Sequence, residues 1–187
     1  ELEQLKNNNI DIHYVAGNHD YWDYGYFTKK FGCTVHKQDF EFSINNQKIL
    51  VTHGDGLLKH DSGYRFMKKI IRSKIITSLF RLIPRKLGCK IAKKISSTKK
   101  KFGREANLKT QYKDELRGFA ISKMNTHDFD VVLMGHYHQT GIDSFCSEPL
   151  TMGNPKYFIH LGDWINNYTV TTYDEKNKWQ QKRYNTG

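Results

Sequence analysis

The sequence predicts an α/β chain arranged as a layered β-sandwich flanked by helices. Short strand-like apolar runs crowd both ends, and a long stretch with helical spacing fills the middle. Its 187 residues are enough for one domain with a sizeable core. The 11 Tyr, 11 Phe and 3 Trp offset a hydrophobic fraction of only 37% with large buriable surfaces.

The opening ELEQLKNNN reads as the end of a helix entering a strand at about 11 to 16. A short helix follows at about 22 to 30, then strands near 33 to 36, 39 to 44 and 47 to 52. After HGD at 53 to 55 come basic helices, interrupted near Pro84 and Gly88, and a helix at about 107 to 126. The strand DVVLM at 130 to 134 leads into GHYH at 135 to 138. Strands recur at about 140 to 145, 157 to 161, 166 to 173 and 178 to 184, the last two a hairpin around DEKNK. The whole reads as a single domain, 1 to 187, with a basic helical insertion at about 60 to 104.

Charge is concentrated in that insertion. Residues 64 to 104 carry half of the 30 Lys and Arg and no Asp or Glu, so the formal charge of +11 belongs to one segment. Phe66, Ile70, Leu79, Ile83, Leu87, Ile91 and Ile95 recur there at helical spacing. Such helices either pack on their own domain with a solvated lysine face or present a functional surface. In the second case an anionic membrane surface is favoured over nucleic acid, because bulky aliphatics rather than stacking aromatics accompany the cations. No apolar run approaches the roughly 20 residues of a membrane span. Cys33, Cys89 and Cys146 are odd in number, far apart and without a CxxC pair, which argues against a disulfide framework and a zinc-thiolate site. With no charged-then-apolar leader, a reducing cytoplasm is the expected compartment.

Three strand ends share one pattern. VAGNHD, KILVTHGD and VVLMGHYH each close an apolar strand with a small residue, then present histidine beside oxygen or nitrogen donors. Each histidine alone reads as a turn residue or a satisfied core group. Together they point to a divalent-ion site, for which imidazole, amide and carboxylate donors suit Mn, Zn or Fe. In an extended GHYH, His136 and His138 would point to the same side. Asp55 reads as a partner of a metal-ligating histidine or as the cap of the following helix. Trp164 of LGDW reads as core.

The ordered set GNHD, HGD and GHYH resembles the last three of five signature blocks in the calcineurin-like metallophosphoesterases. That resemblance implies two divalent ions, Mn first among Mn, Fe and Zn. Asn18, His53 and His136 would bind one and His138 the other; His19 would stabilise charge or protonate the leaving oxygen, and Asp20 would orient His19. The run HGDGLLKHDSGYRF, the helical insertion and the later LGDW are similar to the UDP-2,3-diacylglucosamine hydrolases of lipid A synthesis. By that likeness the insertion is a cap for acyl chains, and Asp61, Tyr64 and Lys109 contact a lipid-linked nucleotide. The location implied is cytoplasmic, peripheral to the inner membrane. Two departures stand out. His19 occupies a position where well-known members carry arginine, and the family's first two blocks, DxH and GDxxD, are absent. Asp11-Ile12-His13 lies on the strand leading into GNHD and does not replace the first of them. The chain is therefore read as N-terminally truncated, with another phosphoester, or a non-catalytic membrane- or nucleic-acid-binding fragment, as alternatives.

Overall fold

Parallel pairing of β4 (Gln47–Thr52), β5 (Val131–Met134) and β7 (Lys156–Leu161) sets the frame. The computed structural model describes residues 1–98, 106–145, 155–176 and 178–184. Antiparallel β3 (Phe40–Ile44) and β6 (Thr140–Phe145) close the two edges, giving a mixed five-stranded sheet in the order β3-β4-β5-β7-β6. All four residues of β5 are buried, as a central strand covered on both faces requires. On one face Ile49, Val131, Leu133 and Ile159 form a core cluster against which Trp179 packs.

Trp179 belongs to the hairpin of β8 (Thr169–Asp174) and β9 (Lys178–Arg183), a second small sheet. Its indole N–H donates to Gln47 Oε1 at 3.3 Å, so a part-buried polar pair helps fix where the hairpin meets the sheet. A third sheet pairs β1 (His13–Val15) in parallel with β2 (Thr34–His36) through the crossover helix α2 (Tyr26–Phe31). Helix α1 (Leu2–Asn7) precedes β1. The protein is thus mixed α/β, as the sequence predicts, and every predicted strand forms within two or three residues of its expected bounds.

The chain divides into two compact units, Glu1–Asp55 with Phe119–Gly187, and Gly56–Gly118. The first holds all three sheets. The second holds a 3-10 turn (Lys59–Asp61), α3 (Ser62–Ile71), α4 (Lys74–Arg81), α5 (Arg85–Thr98) and α6 (Ala106–His127) as far as Gly118. The expected break at Pro84 is present, since α5 begins one residue later. The expected break at Gly88 is not: Gly88 lies inside α5, buried, with the Phe80 ring 3.6 Å from where a Cβ would stand. A glycine weakens a helix by only about 1 kcal/mol, which packing readily overrides. A break falls instead at Arg72–Ser73, between α3 and α4.

Several large apolar side chains of these helices face solvent. Phe66, Leu79 and Leu87 are exposed, Ile75 is 72% exposed and Leu82 80%. Arg65 donates to the carbonyls of Gly56, Leu58 and Lys59 at 3.3, 2.7 and 3.3 Å, binding the segment after HGD to α3. Among the described residues no helix is long and apolar enough to cross a membrane.

Candidate metal centre

Because β4, β5 and β7 run parallel, the loops leaving their C-terminal ends open on one edge of the sheet, the position where α/β proteins place ligands. Those loops begin with His53-Gly54-Asp55, Gly135-His136-Tyr137-His138 and Gly162-Asp163-Trp164. Gly135 N–H donates to the Thr52 carbonyl at 3.3 Å, joining the first two loops through the backbone.

His53 is the meeting point. Its Nε2 lies 3.1 Å from Asn18 Oδ1 and 3.1 Å from His136 Nδ1. The two imidazoles meet edge to face with centroids 4.9 Å apart. Asn18 reaches them because Gly17 carries no side chain: a Cβ there would stand 2.8 Å from His53 Cε1. The glycine of GNHD is thus required by close approach rather than by an unusual backbone angle.

GHYH is not extended. His136 and His138 have φ of 62° and 55°, left-handed values that a histidine adopts only where the surroundings impose them. The two-residue alternation expected of a strand is therefore lost, and the rings part. His136 turns to His53, while His138 Nδ1 faces Asp163 Oδ2 at 3.3 Å with its side chain 57% exposed.

His19 is exposed. Asp20 does not hold it: Asp20 Oδ2 accepts the Tyr14 hydroxyl, and Oδ1 is buried with no partner among the described residues. Burial first, and then the Asp20 carboxylate, push the Tyr14 phenol above its ordinary range, so it stays a donor. Asp55 is buried, and the N-cap position of the next helix is held by Leu58. In the second unit Asp61 is the N-cap of α3 without a side-chain cap bond, and the Tyr64 ring stands 3.3 Å from where a Cβ on Gly56 would be. Lys109 lies on α6, with its side chain outside the described residues; Cys146 also lies outside them. Trp164 is 53% exposed, which corrects its reading as a core residue.

Asp163 was not among the expected site residues. Its carboxylate accepts backbone N–H groups of Ile165, Asn166 and Asn167 at 2.8, 2.6 and 3.1 Å, and the Asn167 side chain at 2.8 Å. These donors hold its carboxyl well below the usual carboxylate range, the Asn166 and Asn167 amides foremost. The signal was present in the sequence: an apolar strand followed by glycine and then a metal-type donor, as at Gly17-Asn18 and Gly135-His136.

The imidazoles of His53 and His136 and the Asn18 amide oxygen suit a cation in chemistry, and the two 3.1 Å separations about His53 Nε2 suit one in spacing. For bonds of about 2.1 Å, neighbouring donors around an octahedral ion stand about 3.0 Å apart. Donor and acceptor roles in the two 3.1 Å contacts of His53 Nε2 follow the histidine tautomers. The set is two imidazoles and an amide with no carboxylate; among the described residues no three His, Cys, Asp or Glu side chains gather as a cage.

A mixed α/β sheet with histidine-bearing loops at the ends of parallel strands defines the class of scaffold, and the sequence relatives are hydrolases. The chain is similar to UDP-2,3-diacylglucosamine hydrolases from several bacteria. It is 29% identical over 167 residues to that of Psychromonas ingrahamii, covering 88% of this chain and 65% of the relative. It is 29% identical over 168 residues to that of Proteus mirabilis, covering 87% and 65%. To that of Vibrio cholerae serotype O1 strain El Tor Inaba N16961 it is 24% identical over 176 residues, covering 94% and 71%. The chain thus spans about two thirds of the length of these curated relatives. No family model matches it.

Proposed function

We propose that the protein is a metal-dependent phosphoric ester hydrolase of the calcineurin-like kind that cleaves the pyrophosphate of UDP-2,3-diacylglucosamine, giving UMP and 2,3-diacylglucosamine 1-phosphate. The observation that carries this reading is the convergence of Asn18, His53 and His136 from three separate loops within 3.1 Å contacts. The relatives' names supply the substrate. On this reading the sheets are part of the metallophosphoesterase sandwich, and the basic helices of the second unit are its cap.

Asn18, His53 and His136 hold one divalent ion and His138 a second, with Mn the first choice and Fe or Zn the alternatives. Divalent ions, when bound, neutralise phosphate charge and lower the pKa of water. His19, exposed and next to Asn18 in sequence, places a proton or positive charge at the leaving oxygen. Asp55 supports the His53 loop from its buried position. Asp61, Tyr64 and Lys109 are the proposed substrate contacts. On this reading the enzyme is cytoplasmic and peripheral to the inner membrane, and the exposed Ile75, Leu79 and Leu82 among lysines and arginines are what would rest on an anionic bilayer.

The test is hydrolysis of UDP-2,3-diacylglucosamine by the full-length gene product with Mn, followed by chromatography of UMP. Release of UMP that is lost in His53→Ala supports the proposal. An intact lipid substrate alongside rapid cleavage of a water-soluble phosphoester overturns the substrate, and no hydrolysis of either overturns the enzyme.

A further inference from the structure

Asp163 sits at the end of β7 with a side chain only 5% exposed, yet it belongs to none of the three histidine motifs. Its Oδ1 is fully committed to three backbone N–H groups of the turn it heads, at 2.8, 2.6 and 3.1 Å. Its Oδ2 takes the Asn167 amide at 2.8 Å and stands 3.3 Å from His138 Nδ1. The same Asn167 amide donates to the His138 carbonyl at 3.0 Å, so side chain and backbone of His138 are both tied to this turn. Gly162 lets the turn form: its φ is 77°, and a Cβ there would collide with Thr169 Oγ1.

An ionised carboxylate only accepts hydrogen bonds, so the nitrogen facing it must carry the proton. We infer that Asp163 is a positioning residue that keeps neutral His138 in its Nδ1–H form and turns the Nε2 lone pair outward as the available donor. What that lone pair binds rests on the reading of His138 as an ion's ligand; the tautomer does not. The left-handed backbone at His138 is part of the device, since it breaks the strand alternation and brings the ring to Asp163 rather than to His53.

The test is ring nitrogen NMR of the metal-free protein at a pH where His138 is neutral, compared with Asp163→Asn. Asparagine keeps an oxygen for the turn but can place its NH₂ where Oδ2 was, facing His138 with a donor. The wild type is expected to show a protonated Nδ1 and a bare Nε2, and D163N the reverse. An Nε2–H form in the wild type, or no change in a folded D163N, overturns the assignment. Should D163N not fold, the wild-type spectrum decides alone, because histidine free in water favours Nε2–H. Adding Mn²⁺ separates the two readings. Binding about 10- to 100-fold weaker in D163N, with broadening at His138, supports both. An Nδ1–H His138 that Mn²⁺ leaves untouched supports the positioning role and overturns the ligand role.

Discussion

Gly17 leaves no space for a methyl group: its Cβ would stand 2.8 Å from the His53 ring. Gly17→Ala therefore pushes His53 off Asn18, with a stability loss of about 1–3 kcal/mol by overpacking. Urea unfolding measures that loss, and Mn²⁺ affinity is expected to fall with it. His36 offers a second test. Burial first, and then the His13 ring, whose Nδ1 lies 3.0 Å from His36 Nε2, depress its pKa. The unfolded chain then binds a proton more readily than the folded one. The stability contributed by neutral His36 is present above the unfolded value of about 6.5 and is lost as pH falls through the depressed folded value. Thermal melting from pH 8 to 5 is expected to show this decline, and His36→Phe to flatten it. Residue by residue, GNHD, HGD and GHYH were legible because their donors follow apolar strands. The Tyr14–Asp20 bond was not, because it depends on how the loop after β1 folds back, which spacing does not encode.

At the scale of elements, glycines report what each segment demands. Gly118 sits in α6 with nothing within 4 Å of the place an added methyl would take, whereas Gly162 has φ 77° and Thr169 Oγ1 2.0 Å from that place. Gly118→Ala is expected to stabilise by about 0.5–1 kcal/mol, and Gly162→Ala to destabilise by several times as much. Chemical denaturation of the two variants side by side checks the sign of each. Strands were readable because alternation and β-branched runs survive in short segments. The Gly88 reading failed because a glycine's intrinsic weakness yields to a neighbouring ring, here Phe80. LGDW was read for its tryptophan, although its aspartate heads the turn and the indole is exposed.

For the molecule as a whole, two features in different units carry the account: a sheet edge that gathers donors, and basic helices with bare apolar side chains. The helices predict binding to vesicles containing anionic lipid. Replacing Ile75, Leu79 and Leu82 by Ser is expected to abolish co-flotation, and added salt to weaken it, since both apolar burial and charge contribute. Equal binding to neutral vesicles, or none to anionic ones, contradicts that role. The sheet edge admits the most direct measurement of all, a Mn²⁺ titration followed through the histidine ring signals. His53 and His136 are expected to broaden first and together, well before the exposed His127, and to lose that priority in Asn18→Ala. Broadening of all histidines in parallel, or of His136 without His53, would contradict a shared ion between them.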